Sequence, residues 1–395
     1  MRLTHIRQRL RACGAKPCHE EILLRAWSEA LALGGGKRRP AHFFPLQLRA
    51  ALPAIDAELQ ALGRVRAEHA GEDGSARLLV ELADGQTVEA VLLPRDGLCV
   101  STQVGCAVGC VFCMTGRDGL KRQLGSAEIV AQVALARSRR VVRKVVFMGM
   151  GEPAHNLDNV LEAIDLLGTL GGIAHKNLVF STVGDRRVFE QLPRAPVRPA
   201  LALSLHSTRP DLREKLLPRA PRIDPAELVE LGERYARTTG YPVQYQWTLL
   251  AGVNDGDDEL DGIVRLLAGK YAIMNFIPYN AVDGLGFSRP SRERALTMTR
   301  HLHQHGILGA LRDSAGQDID GACGQLRARQ IATGRPVRFA ARAAAIPAAA
   351  GADPECQEAR LQAAPDKALD TAMSGAPAAA AASTPGPCHP CPRVR

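Results

Sequence analysis

Between about residues 98 and 315, short β-branched runs alternate with helical stretches, and this rhythm restricts the architecture more than any other property of the chain. The runs are Val141 to Met148, Asn177 to Thr182, Ala200 to Leu205, Val243 to Leu249 and Ala272 to Ile277. Helical patterns occupy Ser126 to Arg137, Leu157 to Leu167, Pro225 to Tyr235, Glu259 to Leu267 and Ser291 to His305. Strands alternating with helices predict a parallel sheet covered by helices. About six such units make an α/β fold of the partial (β/α)6 barrel kind, short of the closed eight-strand form. Chemistry is then expected where strands end and loops begin. Ser126 suits an N-cap, with Glu128 near the positive end of its helix.

The flanks read differently. Glu20 to Leu33 and Phe43 to Leu62 carry apolar residues at helical spacing, so residues 1–75 are expected to form a small helical accessory domain. Its basic cluster Lys37-Arg38-Arg39-Pro40 makes it a candidate RNA-binding region. Residues 76–97 should be a β-hairpin, with strands Ala76 to Leu82 and Thr87 to Leu93 joined by a turn containing Asp84-Gly85. The core is placed at 98–330. Residues 331–395 collapse into Ala and Pro and are expected to be a disordered tail. Near its end Cys388-His389-Pro390-Cys391 resembles half of a zinc site, with no second half nearby.

Fifty Lys and Arg against 41 Asp and Glu leave a formal charge of +9, which favours polyanionic partners such as RNA without proving one. No run of 18 apolar residues is present, so no membrane association is expected. The first residues, MRLTHIRQRLRACG, lack the apolar stretch of a secretory signal, which points to the cytoplasm. Ten cysteines in a reducing compartment indicate metal binding or catalysis where they cluster.

They cluster in Cys106-Ala107-Val108-Gly109-Cys110-Val111-Phe112-Cys113. A structural zinc site normally takes four protein ligands, in two separated pairs. A cubane [4Fe–4S] cluster also has four corners, and a chain supplying three thiolates from Cys106, Cys110 and Cys113 leaves one iron open. That iron can chelate S-adenosylmethionine, and an electron from the cluster then yields a 5′-deoxyadenosyl radical. The C-x3-C-x2-C spacing, with Phe112 before the last cysteine, resembles the signature of the radical S-adenosylmethionine (radical SAM) superfamily. Gly149-Met150-Gly151-Glu152-Pro153, after a strand, is similar to its second signature and could receive the methionine amine.

Further motifs make the chain resemble the RlmN/Cfr family of radical RNA-adenine methyltransferases over roughly residues 85 to 330. They include Val88-Glu89-Ala90-Val91, Cys99 to Cys106, Ser181-Thr182-Val183-Gly184, Ser204-Leu205-His206, Gly252-Val253-Asn254-Asp255, Ile277-Pro278-Tyr279-Asn280 and Asp318 to Leu326 around Cys323. The resemblance implies that Gly151, Glu152, Ser181, Ser204, Leu205, His206 and Asn280 contact S-adenosylmethionine. It implies Glu89 as proton acceptor, Cys323 as the S-methylated methyl carrier and Cys99 as the resolving cysteine that forms a transient disulfide with Cys323.

The implied reaction consumes two S-adenosylmethionines per turnover and methylates an adenine ring carbon, C2 rather than C8, in ribosomal RNA, transfer RNA or both. The implied partners are that RNA and a reducing protein such as a flavodoxin, with the enzyme a monomer. The N-terminal segment departs from the family's Arg-x-x-Gln-aromatic pattern, and the stretch from Pro94 to Cys99 is short, which leaves the target RNA open. Two other functions compete. A radical SAM enzyme acting on a protein or small molecule would need neither Cys99 nor Cys323. A non-enzymatic RNA-binding iron–sulfur protein would not consume S-adenosylmethionine.

Overall fold

Three helices precede the first strand in the computed structural model, which describes residues 1–33, 43–280 and 285–312. They are α1 (Leu3–Ala12), α2 (Pro17–Ser28) and α3 (Leu46–Ala61). In α3 the buried positions Leu48, Leu52, Ile55 and Leu59 form one stripe at helical spacing. Leu3, Ile6 and Leu10 do the same in α1. These residues belong to the same apolar cluster as the sheet that follows, so the helices share its core.

The expected all-helical segment 1–75 is corrected by β1 (Gly63–Ala70), whose alternate residues are partly buried. It pairs antiparallel with β2 (Ala76–Leu82), which pairs in turn with β3 (Thr87–Leu93). The β2–β3 turn reverses through Gly85 at φ +80°, a left-handed conformation that favours glycine. Asp84 Oδ1 accepts a hydrogen bond from the Gln86 amide at 3.1 Å.

Next come β4 (Gly97–Cys99), the short pair β5 (Gln103–Gly105) and β6 (Leu120–Gln123), α4 (Ser126–Arg137) and β7 (Lys144–Phe147). Beyond them lie α5 (Leu157–Thr169), β8 (Leu178–Thr182), α6 (Arg186–Gln191), β9 (Ala200–Ser204), α7 (Pro210–Leu216) and α8 (Pro225–Thr239). The described chain closes with β10 (Val243–Leu249), α9 (Asp257–Leu267), β11 (Ala272–Pro278), α10 (Arg292–Gln304) and β12 (Leu308–Leu311). One sheet runs β1-β2-β3-β4-β7-β8-β9-β10-β11-β12 and is parallel from β4 onward. This is an α/β partial barrel with one parallel strand more than the six expected, because β12 docks on β11 after α10.

At α4 the N-cap is Gly125, not Ser126. Ser126 is inside the first turn, where its hydroxyl accepts from the Leu3 amide at 2.8 Å and donates to Glu162 at 2.5 Å. Glu128 caps the helix instead, accepting from the Gly125 amide at 2.7 Å.

Strand alternation gives the parallel sheet two unlike faces. Phe147, Phe180, Leu201, Leu203, Tyr245, Trp247, Met274 and Phe276 enter the large apolar core shared with the helices. Burying each of the large side chains contributes roughly 1.5–3 kcal/mol. The opposite face follows the register Val91↔Cys99↔Val146↔Val179↔Ala200 and continues through Ala202↔Gln244 and Gln246↔Asn275. Of these, Val146, Val179, Ala200 and Ala202 are small and form a separate apolar cluster.

Candidate active site

The cysteine loop leaves β5 through Gly105 at φ +79°, where an added Cβ would lie 2.1 Å from the Gly119 carbonyl oxygen. Gly109, at φ +65°, is overlaid by Arg219, whose guanidinium would meet a Cβ at 2.3 Å. Both positions therefore need glycine. The loop is fixed by backbone bonds from Cys106 to Gly119 (3.2 Å), Cys113 to Cys110 (3.0 Å) and Val111 to Leu216 (3.1 Å). Apolar support comes from Val108, Leu216, Leu217 and Leu250, with Cys106, Cys110 and Phe112 packed against them.

Burial pushes the Cys106 thiol up to about 11, and it raises Cys110 well above the ordinary range. The charges of the neighbouring cysteines and Glu152 act in the same direction. Such thiols hold their protons at neutral pH unless a metal displaces them. Among the described residues no three His, Cys, Asp or Glu side chains converge as a single metal ion requires. Ligand atoms of one zinc all lie about 2.0–2.3 Å from a common centre. Three sulfurs gripping separate irons of a cube stand further apart, and the soft, all-sulfur donor set fits that group.

The second wall is built at the ends of β7, β8 and β9. Gly149 lies against β4's continuation, where a Cβ would be 2.7 Å from the Val100 carbonyl oxygen. Gly151, at φ +102°, is packed on Gln103, with only 2.6 Å available to a Cβ. Gln103 Oε1 accepts from the Glu152 amide at 2.8 Å, which orients the next side chain. The buried Glu152 carboxylate accepts from the Ala154 and Val183 amides, both at 3.0 Å. Burial raises its pKa to about 7 in spite of those donors and Thr182.

His206 follows β9 in the left-handed region at φ 61°. Its Nδ1 accepts from the Thr248 amide at 3.0 Å, which leaves the proton of the neutral ring on Nε2. Burial, followed by the Arg213 charge, pushes this imidazole down to about 3, so it is neutral at physiological pH. The ring stands edge-on to Phe112 at 5.0 Å.

A cavity of about 230 Å³ brings these parts together. Of the residues picked out from the sequence, it is lined by Cys106, Cys110, Cys113, Gly151, Glu152, Ser181, Ser204 and His206. Gln246 and Thr248 of β10 also line it and were missed. Their signal was legible, since Gln244, Gln246 and Thr248 alternate with Tyr245 and Trp247 in a strand buried on both faces.

Other candidates fall elsewhere. The Leu205 side chain enters the apolar core, and its amide donates to the Gln246 carbonyl at 3.0 Å. Asn280 accepts from Arg289 and is not part of the cavity wall. Glu89 and Cys99 are buried on the same sheet face as Ser181 and Ser204, because Val91 is the register partner of Cys99 and lies two residues from Glu89. Glu89 forms a buried ion pair with Arg77 at 2.9 Å. No disulfide joins any of the described cysteines, Cys99 included. The expected Cys99–Cys323 bridge has only its first partner within the described residues. Cys323, its motif from Asp318 to Leu326, and Cys388 and Cys391 lie outside them.

Comparison with known proteins adds to this geometry. The family model of the radical SAM superfamily matches residues 100–267. A protein of Aromatoleum aromaticum named "Probable RNA methyltransferase" is 79% identical over 334 residues, covering 85% of this chain and 94% of that protein. One of the same name from Leptothrix cholodnii is 71% identical over 332 residues, covering 84% and 96%. Among solved structures, a radical SAM methyltransferase from Sphaerobacter thermophilus superposes with a TM-score of 0.70 at 34% identity, covering 82% of this chain and 97% of that one. No helix of the described residues is long and apolar enough to cross a membrane.

Proposed function

Because the chain belongs to the radical SAM superfamily and to the methyltransferase family of these relatives, we propose that it methylates an adenine ring carbon in RNA, C2 in preference to C8. The observation that carries the reading is one cavity lined by three cysteines together with Glu152, Ser181, Ser204 and His206. Glu89 and Cys99 lie on the same inner face of the sheet. The relatives' names and the charge of +9 support RNA as the substrate, and our proposal takes it to be ribosomal RNA, transfer RNA or both.

Cys106, Cys110 and Cys113 would hold the [4Fe–4S] cluster. With S-adenosylmethionine bound, the cluster supplies a 5′-deoxyadenosyl radical. Aromatic ring carbon is a poor nucleophile toward a sulfonium methyl, whereas a thiolate is a good one. Cys323 therefore takes the methyl from a first S-adenosylmethionine, and the second serves hydrogen abstraction from that methyl. After the carbon joins the ring, Glu89 accepts the ring proton. The pairing with Arg77 holds its carboxylate in place in a buried setting. Cys99 then attacks the Cys323 sulfur. The Cys99–Cys323 disulfide would form as the carbon–sulfur bond breaks, and the released carbon would take up a proton to become methyl. The adduct's unpaired electron would return to the oxidised cluster that supplied the first one before the methylated base leaves.

A reducing protein such as a flavodoxin supplies electrons and restores the thiols. Residues 1–75 grip the RNA around an adenine turned out of its stack. The enzyme works as a monomer in the cytoplasm. Mass spectrometry of RNA from a strain lacking the gene tests the proposal, and a methyladenosine should vanish and return with the wild-type gene but not with Cys323→Ala. An unchanged complement of methyladenosines would overturn it.

A further inference from the structure

Helix α7 forms one side of the cysteine loop's support. Leu212 and Leu216 pack with Cys106 and Cys110, and the Leu216 carbonyl accepts the Val111 amide. Arg213 lies between them on the same helix and is 4% exposed. Its Nη2 donates to the carbonyls of Val183 and Ser204, the latter at 3.2 Å, where β8 and β9 end at the cavity. Its Nε has no hydrogen-bond partner, and among the described residues no carboxylate forms an ion pair with it. Arg77, the other deeply buried guanidinium among the described residues, does have one, in Glu89.

An ionised side chain withdrawn from water costs several kcal/mol unless a counter-charge is close. Two carbonyl dipoles do not cancel a unit charge. Burial lowers the Arg213 pKa to about 10, which still leaves it protonated at neutral pH. Val183 and Ser204, whose carbonyls the Arg213 Nη2 reaches, line the same cavity as the three cysteines, and the charges that offset the burial of Arg213 are those of Cys110 and Glu152. The Glu152 carboxylate is already engaged by the Ala154 and Val183 amides and makes no ion pair with Arg213. An anionic cluster held by the cysteines would bring a counter-charge to this side of the guanidinium.

We propose that Arg213 is the counter-cation of the iron–sulfur cluster held by Cys106, Cys110 and Cys113, and a positioning residue that sets the cluster's one-electron potential. This rests on the cluster assignment made above. Three thiolates around a cluster carry net negative charge, and reduction adds one more. A fixed cation in a low-dielectric wall stabilises the reduced form more than the oxidised form, and so raises the potential. The same attraction favours thiolates over thiols when the cluster is bound.

The test is an anaerobic redox titration followed by electron paramagnetic resonance, on the full chain with its reconstituted cluster. S-adenosylmethionine is left out, so that only the cluster is read. Wild type is compared with Arg213→Lys, Arg213→Gln and Arg213→Met. The Gln and Met variants should show a reduced-to-oxidised ratio about tenfold lower at the wild-type midpoint, which is about 59 mV for one electron. The Lys variant should stay within about threefold. Wild-type titration curves for Gln and Met would overturn the proposal. Should the neutral variants take up no cluster, retention of cluster and potential by Lys alone supports it. Loss of the cluster in all three makes Arg213 a strut and ends it. A wild-type protein that binds no cluster would remove the functional reading itself, a result separate from unmoved potentials in a loaded protein.

Discussion

Tyr245 and Trp247 of β10 are buried beneath helices, while Gln246 and Thr248, their immediate neighbours, line the cavity. The same contrast recurs in β8, where Phe180 enters the core and Ser181 the cavity, and in β9, with Leu203 and Ser204. One face is filled by large apolar side chains whose identity matters through volume. The other is lined by small or polar groups whose identity matters through what they can donate, accept or ligate. A sheet buried on both faces can therefore keep stability and chemistry apart, one residue at a time along each strand.

That separation can be attacked from either side. The largest effect is expected from Cys110→Ala, which should abolish the cluster absorbance and lower RNA methylation by roughly a thousandfold or more. Thermal unfolding of the cofactor-free protein should hardly move. Glu89→Gln should slow methylation by about 10²–10⁴-fold, measured in single turnovers. Truncating Glu89 to Leu also removes the charge facing Arg77 and should cost roughly 3–5 kcal/mol in denaturant unfolding. Adding Arg77→Met should recover most of that stability and none of the activity. Recovery of both would show that the inner face is merely structural there.

On the outer face, Trp247→Ala should cost about 3–5 kcal/mol and leave the cluster spectrum unaltered. A lost spectrum in a still-folded variant would blur the division.

The smallest effect belongs to Glu152. Its folded pKa of about 7 is above the ordinary 4.5, so its contribution to stability is complete below 4.5 and is lost as pH rises through 7. Cofactor-free wild type should lose roughly 3 kcal/mol relative to Glu152→Gln between those values. Parallel stability curves for the two proteins would contradict this.

The outer face was the more legible in the sequence. Period-two and helical patterns located β10 and α4 to the residue, because their apolar residues answer to one core. The strand Gly63–Ala70 escaped notice because Gly-Arg-Val-Arg-Ala-Glu-His-Ala is polar, and its pairing with β2 makes it a strand. Ser126 misled for a tertiary reason, since its hydroxyl bridges Leu3 and Glu162 and is not available for capping. At the site, the cysteine spacing and Gly149 to Pro153 were readable because close backbone approach restricts those positions to few residue types. Arg213 gave no signal. One arginine in a short helix looks solvated until the fold withdraws it from water.

His206 adopts a left-handed backbone that costs a residue with a Cβ about 1–2 kcal/mol. Glycine would relieve that cost but empty a buried site and leave the Thr248 amide without its acceptor, a loss of about 1–3 kcal/mol for the amide alone. The same change would delete the imidazole that receives the Thr248 amide and faces Phe112. At this corner, unlike along the strands, the strained backbone is held by the very ring it presents to the cavity, so folding and chemistry lean on one side chain.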